Sequence, residues 1–256
     1  MNLSFYSTED TLTKIEQLIE NNSPGVYFRF GDGDICLARG ESELMQSTHP
    51  ELQRLMIESI KHTGGNVLKA LPLHTKEWST WEEGMFPGNH EGNSRWAEVL
   101  LLKYIDIIQQ EQLDIYSAVA LCHIATQKPE RAVQFLKTIG KKVKYFIGNE
   151  QIPRDLINTI FNPNVEFISS PSRNSFSRFD EIYQEFESKY EDKEYSVVVT
   201  SMGCSGRPLQ KKILDNYNNV FLFDFGSLMD ALCGWSTRAW IELTNFNKEE
   251  FLSHFK

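Results

Sequence analysis

Short apolar runs alternate with amphipathic helical stretches along most of this chain. The periodicity predicts strands over 26–30, 67–71, 115–121, 143–147, 165–168, 196–200 and 220–224. Helices are expected over 7–21, 50–62, 96–110, 129–139, 153–161, 176–190, 208–217 and 228–243. Ser7 with Asp10 has the form of a capping box, and Pro129, Pro153 and Pro208 sit where a helix's first turn needs no N–H. Strands that feed helices and return as strands require right-handed crossovers. The expected class is therefore α/β, a mainly parallel sheet with helices on both faces.

The 256 residues are 41% apolar and carry no internal repeat or linker, so one Rossmann-like domain spanning 1–256 is expected. The stretch 72–95 lacks periodicity. It holds Trp78, Trp81, Phe86, His74 and His90 and suits an irregular insertion, a lid or an acceptor loop, or a hairpin packing its tryptophans inward. Residues 246–256 suit a last short helix. The net charge of −9 repels phosphate backbones and argues against nucleic acid as a partner. Cys36, Cys122, Cys204 and Cys233 form no Cys-x-x-Cys pair, which disfavours a zinc ribbon and suits reduced thiols. No signal peptide and no transmembrane segment is read, so the expected location is cytoplasmic.

Ligands of open parallel sheets bind at the carboxyl ends of the strands. The run that closes strand 26–30 and leaves its end is Arg29-Phe30-Gly31-Asp32-Gly33-Asp34. Two carboxylates flanked by glycines suit a hard cation such as Mg²⁺ or Mn²⁺ with phosphates completing its shell, and equally suit a solvated turn. Other strand ends carry Cys122-His123, Gly148-Asn149-Glu150, Arg173-Asn174-Ser175, Gly203-Cys204-Ser205-Gly206-Arg207 and Asp224-Phe225-Gly226, with Asp230 one turn further on. The 203–206 loop can offer N–H groups to phosphate or merely open a helix, and it is neither a Walker loop nor a dinucleotide fingerprint. Arg173 and Arg207 suit a diphosphate or an ordinary ion pair. Asn174 suits a nucleobase, a sugar or a helix cap. Asp224 and Asp230 suit a third metal ligand or a catalytic base, and Glu150 and His123 are also eligible as general base.

The run Arg29-Phe30-Gly31-Asp32-Gly33-Asp34 resembles the Arg-Phe-Gly-Asp-Gly-Glu segment of the GT-D-type glycosyltransferases. Pro171-Ser172-Arg173-Asn174-Ser175-Phe176 is similar to that family's Pro-x-x-Asn-Ala-Phe/Trp, and the loop at 197–206 followed by Asp224-Phe225-Gly226 is a third match in the same order. The resemblance implies transfer of a hexose from a nucleotide sugar, a UDP-sugar, to a glycan or glycoconjugate acceptor in glycan biosynthesis. It implies Mn²⁺ or Mg²⁺ held by Asp34 with Asp32 beside it. The nucleotide sugar would meet Arg29, Gly31, Gly33, Arg173, Asn174, Gly203, Ser205 and Asp224, with Asp32, Asp34 and Asp230 in catalytic roles. Asp34 stands where the family has Glu, one methylene shorter. A metal-dependent phosphatase or phosphotransferase also places Asp-x-Asp after a first strand, but Ile35-Cys36 follows here instead of Gly-Thr/Val. A non-catalytic nucleotide- or glycan-binding module fits the same residues.

Overall fold

The computed structural model describes residues 2–71 and 90–256, and the side chains of 2–71 and 99–256. In chain order the elements are β1 (Asn2–Phe5), α1 (Thr8–Glu20), β2 (Gly25–Arg29), α2 (Asp32–Ala38), α3 (Pro50–Lys61), β3 (Val67–Leu71), α4 (His90–Ile108) and β4 (Gln112–Ser117). Then follow α5 (Ala120–Gln127), α6 (Pro129–Gly140), β5 (Val143–Asn149), α7 (Arg154–Ile160), β6 (Glu166–Ser170), α8 (Phe179–Lys189), β7 (Ser196–Ser201) and α9 (Gly206–Asn216). The chain closes with β8 (Val220–Asp224), α10 (Leu228–Cys233), α11 (Ala239–Leu243) and α12 (Lys248–Ser253). One-turn 3₁₀ helices at Ser175–Arg178 and Gly203–Ser205 precede α8 and α9.

All eight strands run parallel in one sheet of order β1-β4-β3-β2-β8-β7-β5-β6. Both faces are covered, which is why the strands read as near-continuous apolar runs. Tyr27, Phe146, Val197, Val199, Phe221 and Phe223 face the layer that contains α1, α5, α6, α7 and α10. Val26, Phe28, Tyr145, Ile147, Val198 and Leu222 face the layer of α2, α3, α4, α8 and α9. No helix among the described residues is long and apolar enough to cross a membrane.

Several boundaries differ from the sequence expectation. The strand expected over 115–121 is β4, which starts at Gln112 and stops at Ser117. Ala118 and Val119 lead into α5, which begins at Ala120, so Cys122 and His123 lie on a helix and not at a strand end. The apolar run Ile-Tyr-Ser-Ala-Val-Ala-Leu has no punctuating residue, and alanine favours the helix. The helix expected over 228–243 is two pieces. Gly234 takes φ +81, a conformation glycine adopts without strain, and ends α10 there. Asp32-Gly33-Asp34, which suited a metal-binding strand end or a solvated turn, open a helix, α2, and β1 joins the sheet edge beside β4. α4 begins at His90, inside the stretch expected to be irregular. Trp78, Trp81 and Phe86 lie outside the described residues.

Candidate functional site

The chain lays β2, β3 and β4 outward on one side, then returns from β5 to place β8 beside β2. The switch point of the topology is thus the crevice between the carboxyl ends of β2 and β8, where open α/β sheets bind ligands. Arg29 ends β2, Asp224 ends β8, and Asp34 follows in the first turn of α2. Gly31 precedes α2 in extended conformation, and its N–H donates to Asp34 Oδ2 at 2.7 Å. That bond turns the Asp34 side chain back toward the strand end. Successive helical residues are rotated by about 100°, so positions two apart point about 200° apart. Asp32 is accordingly exposed, whereas Asp34 is 2% exposed.

Asp34 belongs to a quartet of charges, three of them buried and the fourth, Arg29, half-buried. Arg207, at the start of α9, lies 3.4 Å through Nε from Asp34 Oδ1 and 2.7 Å through Nη1 from Asp224 Oδ2. The same Nε donates to the Arg29 carbonyl at 2.6 Å, and Nη1 donates to the Gly203 carbonyl at 2.6 Å. Arg29 Nε sits 3.4 Å from Asp224 Oδ1, and its Nη1 donates to the Ala118 carbonyl at 3.0 Å. Two guanidiniums thus meet two carboxylates. Removing one member of such a buried set strands its partner, at a cost of roughly 3–5 kcal/mol. Burial pushes the Asp34 carboxyl above its ordinary value, with Arg207 and the Gly31 N–H pulling the other way. Burial opposes the Arg207 charge, but Asp224 and then Asp34 more than offset it, and the guanidinium is held charged beyond its ordinary range. Tyr104 closes the back of the crevice, donating its hydroxyl to the Gly31 carbonyl at 2.5 Å.

The segment from Glu41 to Thr48 folds across this end of the sheet and is sewn down by three residues. Asn174 holds left-handed backbone angles (φ 50, ψ 39), donates its N–H to the Met45 carbonyl at 2.8 Å and accepts the Ser47 N–H on Oδ1 at 2.7 Å. Gln46, 6% exposed, accepts both the Phe176 N–H at 3.1 Å and the Ser205 hydroxyl at 2.9 Å. Asn174 and Ser205, expected to touch nucleotide sugar, therefore spend those groups on holding this segment. A Cβ on Gly33 would stand 2.9 Å from Cys204 Sγ, so α2 packs directly on the turn at 203–205.

Asp230 lies in the first turn of α10, half-buried, with Oδ2 accepting the Thr237 hydroxyl at 2.5 Å. Burial raises its carboxyl pKa, and the Thr237 hydrogen bond and then Arg238 and Arg29 partly offset that rise. Of the other eligible bases, His123 is buried in α5 and Glu150 is exposed at the end of β5, its N–H bound to the Ser170 carbonyl. Arg173 is exposed. Arg207 and Tyr104 carry more of the site than their sequence context signals, and Gln46 has no signal at all. Each draws its role from contacts with segments distant in the chain.

A divalent ion can be tested against these groups. Among the described residues no cluster of three or more His, Cys, Asp or Glu side chains stands ready to hold one. Asp34 Oδ1 nevertheless is a buried carboxylate oxygen that accepts no hydrogen bond from nitrogen or oxygen, and the cation beside it is Arg207. That is a hard-ligand position already shaped for positive charge. It fits an ion bound through one or two carboxylates whose remaining ligands are phosphate and water. Asp34 would be the inner ligand, whereas Asp32 is exposed and points about 200° away from it round the first turn of α2.

No protein-family model matches the chain, and no curated protein matches it. Solved structures do match. One described as a new glycosyltransferase (DUF1792) from Streptococcus sanguinis superposes with a TM-score of 0.65 at 18% identity, over 93% of this chain and 88% of that one. A selenomethionine structure of domain of unknown function 1792 matches with TM-score 0.65 at 18% identity, over 90% of this chain and 79% of that one. A third, described as that domain having a distinct glycosyltransferase fold, matches with TM-score 0.63 at 16% identity, over 92% and 83%. The fold is therefore that of these proteins, across nearly the whole chain.

Proposed function

We propose that this chain is a cytoplasmic, metal-dependent glycosyltransferase that moves a hexose from a nucleotide sugar, a UDP-sugar, to a glycan or glycoconjugate acceptor. The observation that carries the reading is the Arg29–Asp224–Arg207–Asp34 quartet at the switch-point crevice. It lies in a fold shared with proteins described as glycosyltransferases. A diphosphate needs neutralising charge, and the crevice supplies guanidiniums beside a carboxylate suited to Mg²⁺ or Mn²⁺. When bound, such an ion would stabilise the negative charge that develops on the departing nucleoside diphosphate.

The chain's own residues divide the remaining work. Arg29, 23% exposed at its side chain, is the quartet's cation open to a phosphate oxygen. Asp224 fixes both guanidiniums and so positions that donor. Asn174, Gln46 and Ser205 hold 41–48 over the crevice, which limits water at the reacting carbon. Asp230, with a raised pKa and a place beside the rim, is the group to accept the acceptor hydroxyl's proton. The decisive experiment is calorimetry of UDP-sugars with and without Mn²⁺, together with donor hydrolysis. Asp34→Ala that binds and turns over donor like wild type would remove the metal role. UDP bound tightly with no turnover of any donor would instead favour a non-catalytic binding module.

A further inference from the structure

We infer that Arg207 is a resident counter-cation that bars Asp34 from taking up a divalent ion until a diphosphate arrives with it. The inference rests on the functional reading above and adds an order of binding to it. Arg207 is 5% exposed and meets four partners: the Arg29 and Gly203 carbonyls and Asp224, which lie at hydrogen-bonding distance, and Asp34, which it meets as an ion pair only. Its contacts are unequal. Three are 2.6–2.7 Å long, whereas the one to Asp34 Oδ1 is 3.4 Å. A charge-assisted N–H···O bond is ordinarily about 2.7–2.9 Å, so the Asp34 contact is the loosest of the set and the first to yield. Asp34 Oδ1 accepts no hydrogen bond from nitrogen or oxygen; the Cys204 thiol is set against the carboxylate, but the cation that balances its charge is that guanidinium.

Charge balance then sets the sequence. Arg29 and Arg207 cancel Asp34 and Asp224, and of the four only Arg29 is appreciably open to solvent. A divalent ion entering alone would leave two uncompensated positive charges there, and a diphosphate alone would leave a similar negative excess. Both are costly in a poorly solvated site. Entering together they nearly cancel. Arg207 need not leave, because Asp224 and the Gly203 carbonyl keep hold of Nη1 while Nε parts from Asp34.

The test is Mn²⁺ titration of the full chain by calorimetry and by thermal shift, with and without UDP. Wild type should take up Mn²⁺ at least tenfold more tightly with UDP than without it. Arg207→Gln should bind Mn²⁺ without nucleotide at least tenfold more tightly than wild type, and Mn²⁺ alone should raise its Tm. Adding Asp34→Asn to that variant should abolish the gain. Arg207→Lys, which keeps a cation but loses the fork, should gain about threefold and serves if Arg207→Gln does not fold. Folded Arg207 variants that bind Mn²⁺ within twofold of wild type would overturn the inference, as would wild type binding Mn²⁺ equally well without UDP. If wild type takes up Mn²⁺ with UDP yet the variants are unchanged, only the role of Arg207 falls. If no form takes up Mn²⁺ even with UDP, the metal-assisted reading falls with it.

Discussion

Gly226 shows how one residue fixes the crevice. Its φ is +69, and a Cβ there would stand 2.6 Å from the Arg29 guanidinium carbon and from Nη2. Gly226→Ala should therefore do two things, strain the backbone and push Arg29 off Asp224. The expected loss is about 2 kcal/mol or more, roughly a 5 °C drop in Tm, with a raised KM for donor. Gly64→Ala is the control. Gly64 has φ +98 with nothing within 4 Å of its Cβ position, so that variant should lose stability but leave KM alone. Asp230 carries a second prediction. In the role of proton acceptor proposed for it, it must be ionised, and burial raises its pKa. The acid limb of kcat/KM should lie above the ordinary carboxylate range of about 4. Thr237→Val removes a hydrogen bond that favours the charged form, so the limb should move further up. Asp230→Asn should abolish the limb and cut kcat by about 10²–10⁴-fold. An unchanged pH profile in both variants would assign the base elsewhere. At this scale the sequence pattern marked Arg29, Asp34, Asp224 and Asp230 because strand ends are legible from local periodicity. The pairing of Arg207 with Asp34 was not, since 173 positions separate them (207 − 34) and no local pattern links them.

Among elements, the segment 41–48 depends on Gln46 more than on any packing of its own. Leu44 within it is 80% exposed. Gln46→Ala would leave the Phe176 N–H and the Ser205 hydroxyl without their acceptor. The expected cost is about 2 kcal/mol, together with faster amide exchange across 41–48 while α3 stays protected. Unchanged exchange there would mean that Asn174 alone holds the segment. The long helices α1, α3, α6, α8 and α9 were readable from their apolar faces and from their caps, as Ser7 illustrates by accepting the Asp10 N–H and bonding its carboxylate. The short α2 and α5 were not. In seven or eight residues a helical period barely repeats, and α2 opens with Asp-Gly-Asp, which taken alone signals a turn. β1 escaped for a different reason: four residues at a sheet edge form a strand only because β4 is there to pair with them.

For the whole molecule, the alternation of strands and helices sufficed to foresee a parallel sheet with helices on both faces. It did not foresee the strand order, because which strand neighbours which depends on how the two layers pack. That order has a measurable effect. Ligands at the β2–β8 crevice should slow amide exchange most in these two strands, and least in the edge strands β1 and β6. Equal protection across the sheet with UDP and Mn²⁺ would place the ligand elsewhere. The pairing of β2 with β8 also joins the chain's earliest central strand to its last one, with Arg29 and Asp224 separated by 195 positions. During synthesis, then, no partial chain owns a crevice. The emerging chain lacks the seam between β2 and β8 until the final strand slots home, and a molecule truncated before Val220 would have no β8 and no Asp224 to set against Arg29.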